Sequence, residues 1–541
     1  MKKKIFLYSL ALAASMPVAA QETYENAKLT SSELNGTARY VGMGGAMEAL
    51  GADISTIATN PAGLGLFRHS TISASGGMVS QYNGNSFDGA NKTNASFDQV
   101  GGVYSMRTGA QNYLNFGFNY HKGRNFDYIL NASGALNNAS QNKQSYLKGV
   151  LGNEANGGFD VDKNSNGTYI GYEGPQSTYT ALTWSQADYL YWNTVIPDAN
   201  DGKFYYYDAT GYNFNRKHTG YIGNYDFNIS GNCSDFFYWG FTFGLKDVHY
   251  HGYSIYDETI ADNKGNVKVL DQRDITGTGI DVSGGFIIRP IEDSPFRFGA
   301  YVKTPTWYDL TTKNDTYLKN NTTEGGTYDH GETYNSYDYK VYTPWVFGVS
   351  LGHTVGNYLA LGATYEYEDF GSMKSRINDD DGYYDYYGGY YESSHNDRAM
   401  NNHTEKVLKG VSTLKLGLEF KPVSNFAFRL GYNYVSSMYD KSGMKDPCIA
   451  SLGTSYQSAT DYVNWNDINR FTCGFGYTVN KVNLDLAYQY SSQSGTFYPF
   501  SSLKAEDLTN YADGVKVTNY ADGVKVKNNR GQLLMTIGYR F

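Results

Sequence analysis

Three short motifs in this chain have residue types that could do chemistry. Asp162-Lys163-Asn164-Ser165-Asn166-Gly167, closed by Glu173, fits the calcium-loop pattern D-x-[DN]-x-[DN]-G-x5-E. A hard cation wants several oxygens in one compact turn; Asp162, Asn164, Asn166 and Glu173 would offer side chains and Thr168 its carbonyl. Gly157-Gly158 stand where an entering helix would be, and two of the ligands are neutral Asn, so the same residues also read as a polar turn in a long loop. A structural Ca²⁺ is the only cofactor suggested, and none is required. Gly348-Val349-Ser350-Leu351-Gly352, followed by His353, matches G-x-S-x-G, but a nucleophile elbow needs a strand, a strained turn and a helix. Here the motif lies inside an alternating strand, which turns Ser350 to the interior and argues against an enzyme. Gly42-Met43-Gly44-Gly45 has the start of a dinucleotide loop, yet Met47 holds the third glycine position and no strand precedes it.

What positions these residues is a long run of alternating strands. The chain has 541 residues, with 53 Tyr, 61 Gly and 16% aromatic residues, and its mean hydropathy is −0.51. A polar average rich in Tyr and Gly suits strands that alternate lipid-facing and water-facing side chains. The net charge of −9 comes with no basic block, which excludes nucleic acid as a partner. Cys233, Cys448 and Cys473 are too few for a disulfide framework and lack metal-ligand spacing. Residues 1–20 read as a signal peptide: Lys2, Lys3 and Lys4, an apolar core from Ile5 to Ala14, and Val18-Ala19-Ala20 before the cut. No later run is long and apolar enough for a membrane-spanning helix, so an exported chain of this kind can cross a membrane only as a closed barrel.

Residues 21–69 read as a small plug and 70–541 as the barrel. Gln21 to Asn35 is polar and is expected to be extended or mobile; Gly36 to Phe67 is rich in Gly and Ala, with helical turns expected at Gly44 to Leu50, after Asp53, and after Asn60-Pro61. From Ser70 the period is two, as in Asn115 to Tyr120, Tyr238 to Lys246, Arg297 to Lys303 and Val482 to Tyr490. Tight turns are expected at Thr108 to Gln111, Asn232 to Asp235, Pro290 to Ser294, Val355 to Asn357, Pro422 to Asn425 and Val479 to Lys481. Long polar loops are expected near 81–95, 123–218, 259–274, 314–337, 371–404, 441–466 and 496–529. Short turns alternating with long loops, and about fourteen strands, describe an outer-membrane antiparallel barrel.

Several barrel residues invite a binding role. Arg297, Lys303, Glu366, Lys415, Glu419, Arg429, Arg470, Asp485 and Arg540 fall on the inward face, where they pair with one another and the plug or hold an anionic head group. Ser177 to Asn193 reads as an aromatic helical stretch in the longest loop; Trp184, Tyr189, Leu190 and Trp192 make it a candidate ligand-capture surface or a cover for the barrel mouth. Gly382 to Tyr391 is Tyr-rich low complexity, and Asn510 to Val517 is repeated at Asn519 to Val526. The C-terminal strand Leu533 to Phe541 ends on an aromatic residue, resembling the terminal strand that barrel-assembly machinery recognises.

Ala38 to Ala46, then Asn60-Pro61-Ala62-Gly63-Leu64, resembles the hatch segment of the FadL outer-membrane transport family, with Gly42, Gly44, Gly45, Asn60, Pro61 and Ala62 carrying the likeness. The resemblance implies a fourteen-stranded barrel with an N-terminal hatch in its lumen, lipid around it, and a hydrophobic small molecule such as a long-chain fatty acid as ligand. It also implies lateral release at a kinked third strand, which would start near Asn112 with Gly117 as the kink, and an outer groove that would involve Trp184 and Trp192. The alternative is a barrel that transports nothing and serves as a secretion accessory or surface-binding protein. A continuous apolar pocket leading to a break in the third strand would favour transport; a polar, tightly plugged lumen with no side opening would favour the accessory role.

Overall fold

Once strands stand in lipid, every backbone N–H and C=O must find a partner, and a sheet achieves this by closing on itself. In the computed structural model, 14 antiparallel strands close in this way. The structure describes residues 22–150, 159–163, 169–173, 180–183, 187, 190–191, 206–291, 294–322, 326–379, 381–384, 386, 390–446, 449, 451, 459–501 and 519–541.

The strands are β1 (Thr71–Gln81), β2 (Thr93–Arg107), β3 (Tyr113–Asn125 and Tyr128–Ala139), β4 (Ala209–Cys233), β5 (Phe237–Ile260), β6 (Gly265–Ile288) and β7 (Arg297–Lys303 and Trp307–Thr322). They continue as β8 (Gly326–Tyr342 and Val346–Val355), β9 (Leu359–Asp369), β10 (Gly410–Val423), β11 (Phe426–Val435), β12 (Tyr462–Val479), β13 (Val482–Tyr498) and β14 (Val524–Arg540). β14 pairs with β1 from Arg540↔Thr71 to Arg530↔Gln81, which closes the barrel. The six expected tight turns join β2–β3, β4–β5, β6–β7, β8–β9, β10–β11 and β12–β13. All six therefore lie at one end.

Alternation sorts the faces. On β5, Trp239, Phe241, Phe243 and Leu245 point outward and Thr242, Gly244 and Lys246 inward. Exposed apolar side chains continue round the barrel, among them Phe347, Leu416, Leu430, Phe475 and Met535. This belt is the lipid-facing surface, and on β5 it stops where Asp247 and His249 begin.

Three expected loops are instead strands. β4, β5 and β6 have 25, 24 and 24 residues, where roughly 9–11 cross a bilayer. Most of 259–274 and 314–337, and both ends of 123–218, belong to a wall that stands in water beyond the belt. There the outward face is also polar, so the apolar–polar alternation that marks a strand is missing from the sequence.

The N-terminal residues lie inside the barrel. The stretch expected to be extended contains a helix, α1 (Thr23–Thr30), with Thr23, Tyr24, Glu25, Asn26, Ala27 and Leu29 buried. Its surroundings are mixed: Tyr24, Ala27 and Leu29 join a buried cluster with Phe126, Tyr250 and Tyr439, while Asn26 Nδ2 donates to Ser375 Oγ at 2.8 Å and Thr23 Oγ1 lies 2.9 Å from His403 Nδ1. The second helix is α2 (Ala38–Gly42), not Gly44 to Leu50, because Gly44 and Gly45 take φ of +63° and +80° and turn the chain. Asp53 caps Ile54–Ala58 through Ser55 N, and Asn60 caps Pro61–Leu66 through Ala62 N, both as expected. Outside the barrel proper are α3 (Gln141–Val150), α4 (Arg398–Val407), and a small sheet of Phe159–Lys163, Tyr169–Glu173 and Thr180–Thr183. Thr180–Thr183 is strand where a helix was expected.

Candidate functional site: a lumen cavity and a break in the wall

The plug meets the wall backbone to backbone, and glycine makes that possible. A Cβ on Gly362 would come 1.9 Å from Ala46 O, on Gly417 2.4 Å from Met43 O, and on Gly431 2.2 Å from Gly44 N. The Asn60-Pro61-Ala62 turn sits in a second row of such slots: a Cβ on Gly240 would lie 2.4 Å from Pro61, and one on Gly285 2.2 Å from Asn60 Oδ1. Asn60, fully buried, donates through Nδ2 to Glu48 O at 3.0 Å and accepts from Ala62 N at 3.2 Å. Thus Gly42, Gly44, Asn60, Pro61 and Ala62 lie where the N-terminal segment meets the wall, whereas Gly45 faces Leu34 and Tyr40 of that segment itself.

Ion pairs complete the seat. Glu48, fully buried, accepts from Lys415 Nζ at 2.9 Å, Thr364 Oγ1 at 2.7 Å and Tyr40 OH at 3.1 Å. Arg39 meets Glu419 at 3.0 Å, which also takes Arg429 at 2.7 Å. Most charges expected on the inward face are consumed here: Lys415 also neighbours Glu366 at 3.6 Å, Arg429 pairs with Asp485 at 2.6 Å, and Lys303 pairs with Asp281 at 3.0 Å. Arg297 instead donates to the plug carbonyl of Leu50 at 2.6 Å, and Arg540 is exposed.

The barrel ladder is broken at one place beside the plug. β2 and β3 pair from Arg107↔Tyr113 to Gln99↔His121 and then part. The upper part of β2 continues to pair with β1 through Thr93↔Ser80. β3 has a register shift at Gly123 and an interruption at Phe126–Asp127, after which Tyr128–Ala139 pairs with β4. Between the two strands the described residues form no ladder, leaving a window. Phe97 and Tyr120 flank it on the outer face with ring centroids 5.8 Å apart.

Ser31 to Asn35 of the plug closes the window from inside. Asn35 Nδ2 donates both to Asp98 Oδ1 on β2 and to Lys122 O on β3, each at 3.0 Å. Glu33 N donates to Gly123 O at 3.1 Å, and Asn125 N donates to Glu33 Oε2 at 3.1 Å. Arg124 reaches Ser31 O at 2.6 Å, and Arg530 meets Glu33 at 3.0 Å. The plug therefore supplies hydrogen bonds that a neighbouring strand would otherwise make. A cavity of about 400 Å³ lies above it, lined in part by Leu29, Glu33, Arg124, Phe126, Trp465 and Arg470, and it shares Asp98, Gly123 and Asn125 with the window.

Glu33 makes this seal sensitive to acid. Burial pushes its carboxyl up, but Arg530 and Arg124 outweigh burial and hold it below the usual carboxylate range. Its contribution is thus present above the unfolded value of about 4.3 and is lost as pH falls through the lower folded value. Hydrogen exchange at residues 31–36, corrected for intrinsic rates, is expected to be flat from about pH 8 to 5 and to rise below about pH 4. A rise already at neutral pH would mean that Glu33 does not hold the segment.

The other expected site residues are placed differently. Gly117 is not a kink: its pairing with Val103 and Asn228 is regular. A Cβ there would lie 2.5 Å from Leu64 Cδ2, so Gly117 is a slot for the plug, and the break falls at Gly123 and Phe126–Asp127. Leu190 is buried with Tyr191, Tyr207, Ile260, Val267 and Leu318 and is not presented at the surface; Trp184, Tyr189 and Trp192 lie outside the described residues. Asp162 and Glu173 stand on paired strands, opposite Ile170 and Phe159 respectively, whereas Asn164, Asn166 and Thr168 lie outside the described residues. Ser350 stands buried within the regular second segment of β8. Asp98, Glu33, Asn35 and Arg124 were not singled out by their sequence; the one sign was Lys122-Gly123-Arg124-Asn125, where the alternation of β3 ends in charge and glycine.

No family model and no curated protein matches the sequence. Solved structures match it in shape. A FadL homologue from Pseudomonas aeruginosa has a TM-score of 0.50 at 12% identity, covering 95% of this chain and 99% of that chain. The toluene transporter TbuX of Ralstonia pickettii has a TM-score of 0.46 at 12% identity, covering 94% and 99%. The toluene transporter TodX of P. putida has 0.45 at 11%, also covering 94% and 99%. The closed 14-strand barrel, its apolar belt and the likeness to the Pseudomonas aeruginosa protein together make this chain an outer-membrane β-barrel of the FadL fold.

Proposed function

We propose that the protein is a passive outer-membrane channel for hydrophobic small molecules, long-chain fatty acids among them, which leave the cavity sideways through the window between β2 and β3. The observation that carries this reading is that the cavity and the ladder break share residues, so a ligand above the plug lies beside a route through the wall. The break in the wall favours transport, whereas the charged part of the cavity lining, with Glu33, Arg124 and Arg470, and the ion-paired plug are what the accessory reading anticipated. Sideways exit also suits the ligand: an alkyl chain released into bilayer stays out of water, at about 0.8 kcal/mol per CH₂. Phe97 and Tyr120 give the outer side of the route an apolar rim, while Asp98 and Lys122 line it with polar groups, an arrangement suited to an amphipathic molecule. The toluene transporters among the structures of similar shape agree with a hydrophobic ligand.

The test is to close the window. Cysteines replacing Phe97 and Tyr120, joined by a short cleavable bis-maleimide, are expected to cut uptake of a radiolabelled C16 fatty acid into proteoliposomes by about tenfold, a barrier of roughly 1.4 kcal/mol, with recovery on cleavage. Unchanged uptake in the cross-linked barrel would sink lateral exit. If the unmodified barrel neither retains nor passes any hydrophobic probe, transport itself fails and the accessory role stands.

A further inference from the structure

The loop joining β1 to β2, residues 82–92, leaves the barrel rim and runs across the outside of the wall. Asn85 N donates to Asn131 Oδ1 of β3 at 2.6 Å. Phe87 then stacks on Tyr253 of β5, with centroids 5.8 Å apart and planes 9° from parallel. Asp88 pairs with Lys217 of β4, whose Nζ also donates to Asp88 O at 3.1 Å. Ile129, Lys217 and Tyr253 are register partners across β3, β4 and β5, so the loop crosses all three strands near one level. That level lies just beyond the interruption at Phe126–Asp127.

This placement frames the window. Its lower edge is the last β2–β3 pair, Gln99↔His121, and its sides are the parted strands. Its upper edge is the second segment of β3, which has β4 on one side and no ladder partner on the other among the described residues. On that free side, Gln81 of β1 stands in for a strand: its Nε2 donates to Ile129 O at 2.7 Å, and its Oε1 accepts from Ile129 N at 2.8 Å. On this side Gln81 and the crossing loop hold the upper edge together with Arg530, whose Nη2 donates to Asp127 O at 3.0 Å, and Tyr128, whose OH donates to Lys527 O at 3.3 Å. The latch itself is weak, since Asp88 is half exposed and one exposed ion pair with one ring stack is readily broken and screened by salt.

We propose that the β1–β2 loop is an external strap, latched by Asp88–Lys217 and Phe87–Tyr253, that sets the width of the window and so the cross-section of the molecule able to leave through it. The proposal rests on the lateral exit argued above. A latched strap passes slender alkyl chains; a released strap, with the upper segment of β3 still laddered to β4, clears the outer side of the window and admits wide, polycyclic molecules.

The experiment compares two probes in proteoliposomes, a straight-chain C16 carboxylate and a four-ring aromatic carboxylate of similar length. Lys217→Ala combined with Tyr253→Ala is expected to raise the flux ratio of wide to slender probe about tenfold, with slender flux held within about twofold. A disulfide between Phe87→Cys and Tyr253→Cys is expected to lower that ratio below the unmodified level, with reversal on reduction. Hydrogen exchange at the Ile129 amide should quicken in the released variant and slow in the cross-linked one. Flux ratios that stay constant in both variants, while the unmodified barrel passes the slender probe, would overturn the strap and leave lateral exit standing. Slender flux that persists with positions 97 and 120 cross-linked would overturn lateral exit and the strap's role with it.

Discussion

Glu48→Ala is expected to release the plug from an otherwise intact barrel. Glu48 is fully buried, and its carboxylate is the partner of Lys415, Thr364 and Tyr40. Removing it strands the Lys415 ammonium in the lumen with Glu366 at 3.6 Å as its remaining carboxylate. Breaking a buried pair from one side costs about 3–5 kcal/mol, most of it the charge left behind. The barrel ladder does not pass through Glu48, so the loss falls on plug docking. Protease cleavage in residues 36–67 and a steady ion conductance in planar bilayers are the readouts, with heat-shifted gel mobility showing that the barrel itself is folded. Glu48→Gln keeps the acceptor for Thr364 and is expected to lie between the two. Glu48→Ala with Lys415→Met removes both charges and is expected to regain much of the docking. A double variant as leaky as the single one would mean that the pair's charge is not what seats the plug.

Gly362→Val is expected to have an effect of similar size by a different route. Its added Cβ would fall 1.9 Å from Ala46 O, a backbone atom that no rotamer can move aside. The chain must then shift the turn at Gly44-Gly45 or leave the slot; Gly44 is itself hemmed in by Tyr432 N and Leu416 O. The slot has too little space for adjustment, so the plug is expected to lift and the barrel to conduct. Gly538→Ala is the control, since its nearest atom would be an ordinary 3.7 Å away. If Gly362→Val seals as well as the unmodified barrel, close backbone approach is not what holds the plug.

Much of this architecture was open to a reader of the chain. Phe241, Phe243 and Leu245 alternate with Thr242 and Gly244, and that period of two, repeated with a turn at each expected site, requires a sheet with one apolar face. Asn60-Pro61 and Asp53 announce helix starts because an Asx side chain accepts from a free N–H two residues on, a local bond that needs no distant partner. The glycine-rich character of the plug was legible too, although its purpose was not. The glycines matter because Gly362, Gly417 and Gly431, far away in the chain, face Ala46, Met43 and Gly44.

What escaped the sequence has physical causes. The tall wall of β4, β5 and β6 was hidden because water bathes its outer side, so Asn213, Asp257 and Gln272 stand where lipid would have demanded apolar residues. Gly117 was read as a kink because a glycine in a strand signals either a bend or a close neighbour, and only the fold shows that Leu64 is that neighbour. The polar run before Gly36 looked extended because polarity normally means solvent; in a barrel lumen it means partners, here Ser375, His403, Gly123 and Arg530. By itself the sequence determined a membrane barrel and a plug, since both follow from local periods and local caps. Only the tertiary structure decided where the wall opens and what shuts it. Asp98, Lys122 and Asn35 lie on three separate segments, and their meeting is a product of closure around the plug rather than of any stretch of the chain.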